Sequence, residues 1–367
     1  MFSRRQTKQI KVGWVPVGGG APVSIQSMTN TDTRNAAASL EQIRRLAGAG
    51  CEIVRLAVPD MTAAETMKDI VQGSPIPVIA DIHFDYRLAL RSIESGVHGI
   101  RINPGNIGSA DRVRAVVEAA GEAGIPIRVG ANAGSLPKGL LEQKLAKGMS
   151  HDDALADALT DAVMEQIHIL ENCHFDLIKV SLKASSVPVT VKACRIFSER
   201  SDYPLHIGVT EAGTVRRGTL KSAVGIGTLL LEGIGDTMRV SLTADPVEEV
   251  HAARAILETV GLRPAYPEIV SCPTCGRTAY DMFSLADQVE KFVNELKASG
   301  RQIHMKKLAV MGCVVNGPGE ARDAELGIAG GGEGGKLVIF RYGKPFQILS
   351  EAEAFETLKK YILEFCK

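Results

Sequence analysis

The chain lacks a net charge: 42 Lys and Arg stand against 42 Asp and Glu over 367 residues. That balance excludes a global field that would gather nucleic acid or an anionic membrane, so any attraction for anions must be local. Long apolar runs are missing as well. None approaches the roughly 18 residues of a membrane span. The basic start of the chain has no apolar segment behind it of the kind a secretory leader carries. Aromatic residues are scarce, 5% against 45% for hydrophobic residues in all, and such an aliphatic interior suits buried parallel strands. The seven cysteines are odd in number and irregularly spaced, which argues against a secreted disulfide framework and for reduced thiols. The expectation is a soluble cytoplasmic protein with neither nucleic acid nor membrane as partner.

Two motifs are also absent. No GxGxxG follows the first strand, which argues against a doubly wound dinucleotide fold. The glycine run Gly330–Gly335 lacks the Lys-Ser of a phosphate loop, and a hairpin between two strands is the simpler reading. What is present is a repeated unit: a short β-branched run ending in polar residues, then an alanine-rich amphipathic stretch. Eight such runs occur, at 23–29, 53–58, 77–83, 99–103, 126–132, 177–183, 205–211 and 237–243. Gly50, Gly96 and Gly124 stand where the intervening helices should stop. Eight βα units in this length predict an α/β fold, a (β/α)8 TIM barrel. Asp245, Pro246 and Glu248 read as a helix start with a capping box, and Gly261 as its end. Pro264 and Pro267 then mark a linker. The expected domains are 1–262, the barrel, and 263–367, a smaller α+β domain with a helix over 280–299, a strand over 307–310, a hairpin of 326–329 with 336–342, and a closing helix over 351–366.

The smaller domain carries Cys272-Pro-Thr-Cys275, then Cys313 38 residues after the second of them. Three thiolates with no obvious fourth suggest a metal centre, zinc or iron–sulfur, with one position held by something else. His304 and Cys366 stand in no ligand motif. Glu320, seven residues after Cys313 and beyond two glycines and a proline, is either a solvated carboxylate or an oxygen ligand. An oxygen ligand holds a soft iron less firmly than a thiolate and can yield its place to a substrate.

In the barrel, charged and polar residues recur two apart near strand ends, where one face of a strand looks to one side. They are Arg55; Asp81 and His83; Arg101 and Asn103; Arg128 and Asn132, with Gly130 between them; Lys179, Ser181 and Lys183; and Arg239 and Ser241. The acids counted against them are Asp81, Asp85 and Glu211, so the surplus is positive. Converging cations need an anion, and the arginine fork matches phosphate oxygens. The mouth therefore reads as a site for a compact polyanion. Glu211, at the end of the seventh run, is either a structural partner of the arginines or a group that holds a substrate hydroxyl or moves a proton.

These motifs together resemble one family. Ser27–Asp32, Ala80–Phe84, Arg101–Asn106, Arg128–Asn132, Val180–Ser185, Gly208–Gly213, Arg239–Ser241, Cys272–Arg277 and Cys313–Glu320 match the bacterial 4-hydroxy-3-methylbut-2-enyl diphosphate synthases of the non-mevalonate isoprenoid pathway, over essentially the whole chain. The direct run from barrel to CxxC resembles the two-domain form without an inserted domain. The resemblance implies a [4Fe–4S] cluster on Cys272, Cys275, Cys313 and Glu320. It implies 2-C-methyl-D-erythritol 2,4-cyclodiphosphate as substrate, held by Arg55, Arg101, Arg128, Lys183, Arg239 and Ser241, with His83, Asn103 and Asn132 completing the pocket. It also implies Asn316 near the cluster, Glu211 and Glu320 in the chemistry, a flavodoxin or ferredoxin as electron donor, and a homodimer in which one subunit's cluster domain covers the other's barrel. Rival readings are a zinc-bearing barrel without redox chemistry and an electron carrier on a barrel scaffold.

Overall fold

The computed structural model describes residues 3–264, 267–278, 280–313, 319, 322–331 and 335–366. They form two compact units, Met1–Arg263 and Pro264–Lys367.

The first unit opens with an antiparallel hairpin, β1 (Ile10–Val12) and β2 (Val15–Val17). Eight parallel strands follow: β3 (Ser24–Met28), β4 (Ile53–Ala57), β5 (Val78–Asp81), β6 (Ile100–Arg101), β7 (Ile127–Asn132), β8 (Ile178–Lys183), β9 (His206–Ile207) and β10 (Thr237–Met238). Their order in the sheet is β8-β7-β6-β5-β4-β3-β10-β9. A parallel bridge from Val180 to Leu205 joins the two ends and closes the sheet into the expected barrel. All eight runs became strands, but β6, β9 and β10 pair over two residues only. Glu211 therefore does not end a strand. It lies in a turn beyond β9 with φ of 51°.

The helices lie between the strands because their apolar stripes cover the outward-facing aliphatics. α1 (Ala36–Ala49) starts at Asn35, whose side chain accepts from Ala38 N at 3.0 Å, and ends at Gly50 in the left-handed region. α2 (Met61–Gly73), α3 (Tyr86–Glu94), α4 (Pro104–Ile107), α5 (Ala110–Glu122), α6 (Leu140–Leu145), α7 (His151–Glu171), α8 (Val187–Arg200), α9 (Val215–Leu231) and α10 (Pro246–Thr259) complete the unit. Gly96 and Gly124 follow α3 and α5 with positive φ, as expected of helix stops. Asp245 caps α10 through Val247 N, with Pro246 in the first turn. The expected capping box does not close: the Glu248 carboxylate lies 3.9 Å from His251 Nδ1 instead.

Two apolar layers hold the barrel. The larger lies between sheet and helices and includes Ile25, Ile43, Val54, Met67, Ile127, Leu159, Val180 and Leu257. A smaller cluster packs Ile10, Val12 and Val17 of the hairpin with Ile53 and Ile79 near the starts of β4 and β5. The hairpin thus covers the N-terminal end of the barrel.

The second unit is a five-stranded sheet in sequence order. It comprises β11 (Glu268–Ser271), β12 (Lys307–Met311), β13 (Leu326–Gly330), β14 (Leu337–Arg341) and β15 (Lys344–Leu349). β11 to β13 are parallel, and β13, β14 and β15 are antiparallel neighbours. α11 (Met282–Ala298) and α12 (Ala354–Glu364) bury Val289, Val293, Leu358 and Ile362 with Leu308, Val310, Ile328 and Ile339. The expected strand, hairpin and two helices are all present, and β11 and β15 are additions to them.

Candidate active site

Strand alternation sends Arg55, Asp81, Arg101, Arg128, Lys179, Lys183 and Arg239 to the inside of the barrel. Register then sets them side by side: Asp81 beside Arg101, Arg101 beside Arg128, Arg128 beside Lys179 and Asn132 beside Lys183. Arg55, Arg128, Lys179 and Lys183 are all 9% exposed or less. Two inward glycines make this density possible. A Cβ at Gly130 would stand 2.3 Å from Ser181 Oγ, and one at Gly208 would stand 2.4 Å from the Arg239 carbonyl and 2.8 Å from Lys183 Nζ.

Two buried carboxylates face these cations. Asp81 lies 3.1 Å from Arg101 Nη1 and 3.4 Å from Arg55 Nε. Burial, the largest single influence, pushes its pKa up, but Arg55, Arg101 and Arg128 outweigh it and hold the carboxyl below its ordinary value. The second carboxylate is Glu249, which the sequence reading missed. It reaches in from α10 and takes a bidentate pair of bonds from Arg239, at 3.1 Å each, and one bond each from Ser27 Oγ and Leu242 N. The only signal for it was its place on the first turn of a helix after the eighth strand. Asp85, by contrast, is not a mouth acid: it caps α3 and is held by Arg87 at 2.7 Å.

Six buried or largely buried cations therefore meet two carboxylates. Met28 adds a weak acceptor, its sulfur lying 3.1 Å from Arg55 Nη2 and 3.6 Å from Arg239 Nη1. The deficit is visible atom by atom: Arg128 Nε and Nη1, Arg101 Nε and Lys179 Nζ are buried without a hydrogen-bond partner among the described residues. Burial first, then mutual repulsion, lowers the pKa of Arg55 to about 10 and holds Arg128 and Lys183 well below their ordinary values. An arrangement of unpaired donors aimed into one space is complementary to a multiply charged anion.

At the rim, His83 is exposed, and its two ring nitrogens lie 3.3 and 3.1 Å from Arg101 Nη1. Asn103 follows β6 and accepts from Gly105 N at 3.0 Å, which starts α4. Asn132 ends β7, and Ser241 lies half-buried beyond β10. Glu211 is exposed. The eight strands bring every sequence-expected barrel residue to the inside or the C-terminal end of the barrel.

In the second unit, the parallel pairing of β11 with β12 brings Cys272 and Cys313 out at the same end of neighbouring strands, with Cys272 N bonded to Val310 O at 3.1 Å. Cys275 is exposed, follows Thr274 at a positive φ of 65°, and bonds back to Thr278. All three thiols are free of disulfides. This donor set suits a thiophilic group such as an iron–sulfur cluster. Among the described residues no three His, Cys, Asp or Glu side chains converge on one point. Asn316 and Glu320 lie outside the described residues.

The architecture is that of a two-domain (β/α)8-barrel protein with a cationic mouth and an appended thiol-bearing α+β unit. Within that class the chain belongs to the GcpE family: the GcpE TIM-barrel domain matches residues 7–254 and the GcpE protein C-terminal domain residues 268–364. It is 54% identical to a protein of Geobacter sulfurreducens over 97% of this chain and 96% of that one. It is 52% identical to one of Clostridium perfringens over 98% and 99%, and 50% identical to one of Caldanaerobacter subterraneus over 99% and 98%. Each of the three is named 4-hydroxy-3-methylbut-2-en-1-yl diphosphate synthase (flavodoxin).

Proposed function

We infer that this chain is a 4-hydroxy-3-methylbut-2-enyl diphosphate synthase that reduces 2-C-methyl-D-erythritol 2,4-cyclodiphosphate with electrons from a flavodoxin. Full-length identity near one half to relatives of that name supports the activity and the donor. The observation that carries the substrate is the surplus of buried, unpaired cations in the barrel. The reaction breaks the ring C–O bond to phosphate and releases a hydroxyl as water. It consumes two electrons and two protons.

Arg55, Arg101, Arg128, Lys183 and Arg239 with Ser241 hold the two phosphates, while His83, Asn103 and Asn132 line the rim. Asp81 and Glu249 orient the guanidinium groups, each fixing a fork before substrate arrives, so less freedom is lost on binding. Glu211, exposed in the turn beyond β9, is the carboxylate assigned to hold or protonate a substrate hydroxyl. Cys272, Cys275, Cys313 and Glu320 are the proposed ligands of a [4Fe–4S] cluster, with Asn316 beside it. That group, when bound, supplies single-electron transfer and a Lewis-acidic iron. The working unit is proposed to be a homodimer, in the cytoplasm. Among the described residues no helix is long and apolar enough to cross a membrane.

The test is anaerobic purification with iron, sulfide and zinc analysis, spin resonance after reduction, and turnover of the cyclodiphosphate with reduced flavodoxin. About four irons and four sulfides per chain, a reduced signal that changes on adding substrate, and product formation are expected. One zinc without sulfide after anaerobic reconstitution would overturn the reading in favour of a zinc-bearing barrel.

A further inference from the structure

Below the phosphate-facing cations lies a second tier of polar side chains that the proposed reaction does not use. It comprises Lys179 on β8, His206 on β9, Thr237 on β10, and Ser24 and Gln26 on β3, each 1% exposed or less. The tier is contiguous. His206 is in register with Thr237, Thr237 with Ser24, and β8 is bridged to β9 at Val180–Leu205. Lys179 Nζ, both His206 ring nitrogens, Thr237 Oγ1, Ser24 Oγ and both polar atoms of the Gln26 amide have no hydrogen-bond partner among the described residues. Unpaired buried polar atoms at this density are rare, and each asks for a reason.

Among the described residues, an ammonium at Lys179 would face only cations and neutral groups. Arg128 is its register neighbour on β7, Arg55 approaches from β4, and Lys183 stands four residues along its own strand. Arg101 on β6 and Arg239 on β10 act in turn on Arg55 and Arg128. The two carboxylates within the barrel, Asp81 and Glu249, are already engaged by Arg55 and Arg101 and by Arg239. His206 cannot help: burial first, then Lys183, Arg128 and Lys179, keep it neutral, well below its ordinary pKa. Burial, with Arg128 and Arg55, likewise lowers Lys179 to about 7. In the empty barrel near pH 8 the amine is therefore mostly neutral. A dianion seated above it would offset most of the field of those cations, and so raise the affinity of Lys179 for a proton.

We propose that Lys179 is a positioning residue that takes up a proton when the cyclic diphosphate enters the mouth, so that substrate binding and charging of the barrel floor are one linked event. The proposal rests on the mouth being the diphosphate site. One proton moves from solvent to Lys179 Nζ, and no bond of the substrate changes. The substrate contributes no titration of its own near neutrality. Each phosphorus of a cyclic diphosphate carries a single, strongly acidic oxygen and lacks the second ionisation near pH 6 of a phosphomonoester. Between the pKa of Lys179 in the empty barrel and its higher value in the filled one, the complex binds more protons than the free protein. Affinity therefore falls as pH rises through that window, by up to about tenfold per pH unit.

The experiment is titration calorimetry of the anaerobic holoenzyme with the cyclodiphosphate at pH 8, in two buffers of different ionisation enthalpy such as Tris and HEPES. Wild type should take up on the order of one proton per site. Lys179→Met should bind with markedly less uptake and a flatter affinity profile from pH 7 to 8.5. Lys179→Arg, permanently charged and usable if the methionine variant does not fold, should likewise lose the uptake. Equal heats in both buffers for wild type, or undiminished uptake in the folded variants, would overturn the proposal. Absence of any cyclodiphosphate binding by wild type would instead overturn the diphosphate reading of the mouth.

Discussion

Asp81 serves two arginines at once, and that makes it the residue on which the empty mouth depends. Asp81→Asn keeps the shape but leaves Arg55 and Arg101 without their anion, a change that destabilises by about 3–5 kcal/mol where a buried pair is broken. Chemical denaturation of the barrel should show that loss, and the cyclodiphosphate should raise the variant's melting temperature by more than it raises wild type's. Glu211 belongs to a different kind of site, exposed and held in a turn at positive φ. Glu211→Gln should cut kcat by two orders of magnitude or more, in the ~10²–10⁴ range of proton-transfer groups, while substrate affinity stays within a few-fold. Near-normal turnover in that variant would remove Glu211 from the chemistry. At this scale the cations were legible, because a two-residue spacing near strand ends is written in the chain. Glu249 was not, because its reach into the barrel depends on how α10 docks, and nothing in Pro-Val-Glu-Glu-Val marks the second glutamate over the first.

At the scale of elements, space inside the barrel is set by glycines on strands β7 and next to β9. Gly208→Ala would drive a methyl group into the Arg239 carbonyl, which is backbone and cannot step aside. Overpacking of this sort destabilises by about 1–3 kcal/mol, and here it also displaces Lys183. The variant should show a raised KM for the cyclodiphosphate together with a lowered melting temperature. In the second unit, the parallel pair β11 and β12 delivers two of the three cysteines to one end. Cys272→Ser or Cys313→Ser should abolish cluster retention, read as loss of iron, sulfide and the visible absorption band. The eight barrel strands were legible because each is buried on both faces and reads as a β-branched run. β15 was not: Lys344-Pro-Phe-Gln-Ile-Leu is a sheet edge with most side chains exposed, and Pro345 argues against a strand except at an edge. β11 was hidden between two prolines and the CxxC, where the turn signals outweighed four residues of strand.

At the scale of the whole molecule, the buried amine of Lys179 ties stability to pH. Its folded pKa, about 7, lies below that of an unfolded lysine, so between the two values the unfolded chain binds more protons. Stability of the substrate-free barrel should therefore rise as pH goes from 7 towards 9. Above pH 9 the rise should slacken, because the buried thiols of Cys51 and Cys194, pushed up to about 12, stay protonated while unfolded cysteines ionise, which opposes the lysine contribution. Thermal melting of the apoprotein across pH 6 to 10 checks both limbs, and Lys179→Met should flatten the rise. By itself the sequence determined the barrel, the inward row of cations and the three thiols, since these follow from strand periodicity, helix stops and residue type. Only the tertiary structure decided that six cations would share two carboxylates, and that one lysine would lie where no charge supports its own. Those outcomes depend on distances between residues as far apart in the chain as Arg55 and Glu249. In a buried site such distances, and not the identity of any neighbour in sequence, set the electrostatic energy.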